Sequence, residues 1–131
     1  MALVNLINEK EQIVFGKDNV VIAKYISGIK GGRALNVAGF TDKVINAGHI
    51  IIKNAAGDYL PMPVSEGAYA ALPAGCAYVG VLVSSILTSK PAASIMTRGE
   101  VNEVASPYPV ASIKSAFLAA CPHIAFVSDN Q

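Results

Sequence analysis

A chain of 131 residues with a formal net charge of +1 has the common size of one domain and can bury a core without metal or disulfide staples. Hydrophobic residues make up 53% and charged residues 15%, with mean hydropathy +0.46, which excludes a disordered chain and leaves no basic footprint for nucleic acid. So few charges leave the surface of a lone monomer too apolar, and predict that part of it is covered by partners.

In chain order, the opening MALVNLINEKEQ has neither the basic start nor the long apolar stretch of a signal peptide. Residues 12–15 and 19–23 are β-prone runs separated by a turn at 16–18. Gly28, Gly31 and Gly32 then mark a flexible stretch around Lys30 and Arg33. Residues 1–33 read either as an extended N-terminal arm that completes a partner's sheet or as an edge hairpin of the same domain. The apolar residues Leu3, Val4, Ile7, Ile13, Val14, Phe15, Val20, Val21, Ile22 and Tyr25 are the candidate partner-binding set.

Residues 34–131 read as the β-rich domain itself. A short strand is predicted over 34–39 and a β-branched one over 49–53. A turn cluster at 54–58 leads into an extended segment at 59–62, which Pro61 and Pro63 place at a sheet edge. The low-charge run 68–87 is broken by Pro73 and Gly75 and carries Ser84 and Ser85, so it does not read as a membrane-spanning helix. Within it, residues 77–83 form the best central strand, apolar on both faces. Residues 94–101 follow as its partner. A helix is predicted over 109–120, with Val110, Ile113, Phe117 and Leu118 on one face and Pro122 as its stop. Residues 124–127 give a last strand. The fold class is mainly β (α+β), a small barrel or sandwich-like domain with one C-terminal helix.

The search for chemistry returns little. No hydrolase, zinc-protease or phosphate-loop motif is present. The glycine stretch at 28–33 matches no phosphate-binding fingerprint. His49 and His123 lack convergent ligands, so neither metal nor cofactor is predicted. Glu100 with Glu103, and Glu9 with Glu11, read as surface charges rather than an acid–base pair. Cys121 and His123, flanking Pro122, are poorly placed for a nucleophilic pair. Cys76 and Cys121 read as buried free thiols. The aromatic residues are scattered and read mostly as core, with Tyr25 and Tyr108 as conceivable interface anchors. The chain is not read as an enzyme.

Several blocks in order resemble one family. Residues 40–51 (FTDKVINAGHII), 54–62 (NAAGDYLPM), 77–82 (AYVGVL) and 93–102 (ASIMTRGEVN) are similar to successive strands of tailed-phage head decoration proteins of the lambda type, and of the related head-fibre base domains. Residues 113–117 and 123–127 resemble that family's closing helix and strand. Residues 1–33 and 64–74 have no counterpart in it. The resemblance implies a structural auxiliary protein on the outer capsid surface of a bacteriophage virion, made in the host cytoplasm. It implies a homotrimer bound to the major capsid protein, stabilising the shell, with no nucleic acid or membrane partner. The alternative it implies is a head-fibre base or adhesive module binding host surface glycans through the loops at 57–58 and 65–70.

Overall fold

The computed structural model describes residues 21–38, 40 and 42–128. Its centre is a six-stranded sheet in the order β1-β11-β8-β4-β5, with β12 also paired to β11. The strands are β1 (Ile22–Gly28), β4 (Ile50–Lys53), β5 (Tyr59–Pro61), β8 (Ala77–Leu82), β11 (Ile95–Asn102) and β12 (Ile124–Val127). All these pairings are antiparallel except β11 with β12, which is parallel. Strand β11 is the longest, and its two halves have different neighbours. Ile95 and Met96 pair with β8, while Gly99 to Asn102 pair with β12. Three small antiparallel pairs surround the sheet: β2 (Arg33–Ala34) with β10 (Ala92–Ala93), β3 (Val44–Ile45) with β9 (Ile86–Leu87), and β6 (Val64–Ser65) with β7 (Ala68–Tyr69).

Alternation along the strands sends apolar side chains to both faces of the sheet. Ile50 and Ile52 enter one core, and Ile51 enters the other. The first core is closed by Val110, Ile113, Phe117 and Cys121 around helix α1 (Lys114–Ala120). The second is closed by Ile45 and Ala93 from the small strand pairs and by Leu35, just after β2. The domain is therefore mainly β and sandwich-like, with one helix among the described residues, as the hydrophobic pattern predicts.

Strand β8 departs from simple alternation. Ile51 faces Gly80 and Ile52 faces Tyr78, so Val79 is an extra residue in the ladder. This bulge lets Tyr78 and Val81 serve the first core while Val79 and Leu82 serve the second. Gly80 sits where two backbones meet: a Cβ there would lie 2.1 Å from the Met96 carbonyl oxygen. The apolar run at 77–83 is thus a central strand packed on two sides, as expected from its composition.

The helix begins later than predicted. Residues 110–113 form a turn in which Ile113 N–H donates to the Val110 carbonyl, and regular helix starts at Lys114. Pro122 ends it as expected. The strand predicted over 34–39 is shorter, because after Ala34 only Leu35 bridges, in parallel, to Tyr59. Residues 64–70 instead hold the β6–β7 hairpin, where no element was predicted. The glycines at 28–33 are not a loose linker. Gly31 and Gly32 adopt φ of 78° and 68° in a tight turn, with Gly32 N–H donating to the Ile29 carbonyl.

Candidate functional site

Of the predicted partner-binding residues, Leu3, Val4, Ile7, Ile13, Val14, Phe15 and Val20 lie outside the described residues. Val21 is 3% exposed and packs in the first core, and Ile22 packs half-buried against it. Tyr25 is 53% exposed and its neighbour Ile26 is 56% exposed. The register against β11 shifts between Tyr25 and Ser27, so the consecutive apolar residues Tyr25 and Ile26 stand bare at an irregular point of β1. Among the described residues β1 also forms an edge of the sheet, with register shifts against β11 at three places. An edge strand presents unpaired N–H and C=O groups, and bulges are one way to guard it. Beside β1 lies a broad, open groove of about 850 Å³ that runs along residues 25–34 to β10. It carries Lys30 and Arg33, but the Arg33 guanidinium is turned back onto the Lys30 and Gly32 carbonyls. Ile26 is not in the predicted contact set, because its exposure follows from the edge position of β1 and not from the local sequence.

A second concavity lies across the molecule. It has a volume of about 580 Å³, and its polar lining comes from Asn36, Asp42 and Asn54. Phe40, Tyr108, Pro61, Pro63 and Pro73 supply much of the apolar lining. Behind it sits an aromatic corner. The His49 ring makes edge contacts with Phe40, Tyr69 and Tyr108 at centroid distances of 5.5, 5.3 and 5.7 Å. Tyr69 and Tyr108 also meet edge to face at 5.5 Å. Such edge-to-face pairs favour fixed ring orientations.

Hydrogen bonds hold this corner. His49 Nε2 lies 2.9 Å from the Met62 carbonyl oxygen, which can only accept, so Nε2 carries the proton. Tyr69 Oη accepts from Ile50 N–H at 3.2 Å. Tyr108 O–H donates to Asp42 Oδ2 at 3.3 Å. His49 is 1% exposed, and burial pushes its pKa from 6.5 down to about 4, against the opposing pull of the Met62 carbonyl and the Asp42 charge. Burial raises the Tyr108 phenol, and the neighbouring carboxylate of Asp42 adds to the rise. His49 is therefore a neutral structural ring at neutral pH.

The remaining candidates are structural. Glu103 makes an ion pair with Lys114 at 2.8 Å, and Glu100 lies half-buried in β11. Cys76 and Cys121 are both free thiols. The Cys121 thiol donates to the Val79 carbonyl at 3.5 Å and burial raises its pKa, which disfavours the reactive thiolate. His123 is exposed. Among the described residues no three His, Cys, Asp or Glu side chains converge to hold a metal, and no helix is long and apolar enough to cross a membrane.

The aromatic corner was not read from the sequence. Its members are spread from residue 40 to 108 and follow no period, so only the sheet topology brings them together. No family model, curated protein or solved structure matches the chain. The likeness to tailed-phage head proteins rests on the sequence blocks themselves.

Proposed function

We propose that this chain is a structural auxiliary protein of a bacteriophage head, a decoration protein that binds the outside of the capsid as a trimer and stabilises the shell. The observation that carries this reading is the edge strand β1. Among the described residues no other strand exposes a large apolar side chain, while β1 leaves Tyr25 and Ile26 bare. A bare edge strand suits strand addition by a neighbour, with main-chain hydrogen bonds for affinity and apolar side chains for register. The blocks that resemble the phage proteins also fall in order on β3–β4, β5, β8, β11 and α1–β12.

Physically, the work of such a protein is binding rather than turnover. Many identical contacts on a lattice add by multivalency. A protein that binds only the assembled shell stabilises it by mass action. Low charge then reflects surfaces that face other copies and the capsid.

The test uses the purified chain and the phage that encodes it. Sedimentation equilibrium is expected to give three times the 13.6 kDa chain mass. Mass spectrometry of purified virions is expected to find the chain, and heads lacking it should release DNA at a lower temperature. A chain absent from virions, or heads equally stable without it, overturns the reading.

A further inference from the structure

From the second concavity we infer a binding site for a neutral carbohydrate of one or two rings. The site lies between the turn at residues 54–58 and the β6–β7 hairpin, away from β1, and does not depend on the capsid reading. Its volume of about 580 Å³ is within the ordinary range of small-ligand sites.

The chemistry of the lining selects the ligand class. Among the described residues no Lys or Arg lines the cleft and Asp42 is its one charged group, so anions are disfavoured. The polar atoms are arranged for hydroxyl groups. Asn36 Oδ1 accepts from Ala38 N–H at 3.1 Å, which leaves its side-chain NH₂ to donate. Asp42 Oδ2 is taken by Tyr108 O–H at 3.3 Å, which leaves Oδ1 to accept. A sugar hydroxyl both donates and accepts, and so matches this mixture where a purely cationic or purely anionic group does not. Asn54 is fixed by Asp58, whose N–H donates to Asn54 Oδ1 at 2.9 Å.

The apolar part of the lining fits the other half of a sugar. Phe40 and Tyr108 offer aromatic rings for the flat C–H face of a pyranose, with Pro63 and Pro73 adding apolar surface beside them. Phe40 and Tyr108 are held from behind by their edge contacts with buried His49, so little ordering is left for the ligand to impose.

The test is a titration of the full chain followed by two-dimensional amide NMR. The probes are methyl glycosides of glucose, galactose, mannose and N-acetylglucosamine, then maltose and lactose. At least one is expected to bind saturably in the millimolar range, shifting the signals of Asn36, Asp42 and Asn54. Asp42→Asn should weaken binding about tenfold, because it removes a charge-assisted hydrogen bond. Ala38→Trp, at an exposed position on the cleft wall, should abolish binding while leaving the melting temperature unchanged. No saturable shift with any of these sugars overturns the inference, as do shifts that survive Ala38→Trp. Tighter binding of tetramethylammonium than of every sugar also overturns it, and makes the cleft a cation site. Failure here leaves the capsid reading standing, since that reading is tested on virions.

Discussion

Strands β4 and β1 belong to one sheet but treat their apolar residues in opposite ways. In β4, Ile50, Ile51 and Ile52 are all at most 1% exposed, each handed to one of two cores. In β1, Tyr25 and Ile26 are more than half exposed. Both strands are β-prone in sequence, so propensity does not separate them. What separates them is how many layers lie above and below. Strand β4 is flanked by β5 and β8 and covered on both faces, whereas β1 has one described neighbour, β11. Apolar content thus marks burial in the centre of the sheet and an unfilled demand for burial at its edge.

The comparison can be broken hardest at the centre. Phe117 is fully buried between Tyr78 and Phe126, so Phe117→Ala should cost about 3–5 kcal/mol in urea unfolding. Acid should attack the centre at His49. The unfolded chain takes up a proton on His49 as pH falls through 6.5, while the folded chain resists until about 4. Stability from this ring is therefore complete above pH 6.5 and is lost progressively between 6.5 and 4, by about 3 kcal/mol in all. Unfolding curves across that range should show the loss, and His49→Gln should flatten it while lowering stability at pH 7. A smaller centre effect is expected from Gly80→Ala. The new methyl meets the Met96 carbonyl, and forcing β8 from β11 should cost about 1–3 kcal/mol. At the edge, the double change Tyr25→Ser with Ile26→Ser should move stability by no more than about 0.5 kcal/mol. Its consequence should appear instead as a lower mass in sedimentation, since the proposed contact surface is gone. A large loss of stability from the edge change, with no loss of mass, would erase the contrast.

The centre was legible in the sequence and the surroundings were not, for a physical reason. The β-branched run at 49–53 and the apolar run at 77–83 announce buried strands because their neighbours in space reinforce a local preference. Strand β12 and the stop at Pro122 were legible likewise. The aromatic corner was not, since His49, Tyr69 and Tyr108 meet only after β4 and β7 are placed. The β6–β7 hairpin was missed because Val64 to Tyr69 combines too few β-branched residues with a turn at Glu66 and Gly67. The loops at 57–58 and 65–70 are read in the sequence as glycan-binding under the adhesive alternative, but the cleft near them is lined by residues from Asn36 to Tyr108 that only the topology brings together.

The first core joins Val21 to Ile124, and β11 needs both β1 and β12 as neighbours. Such distant pairings carry a heavy loop-closure cost and place the chain among slow folders, in the range of milliseconds to seconds. During synthesis the consequence is stricter. With about 5–20 residues added each second, β4, β5 and β8 wait for seconds without the helix and last strand that seal them. A ribosome stalled anywhere before Ile124 would leave these apolar strands uncovered, so the sheet commits to its native state only once β12 has been made.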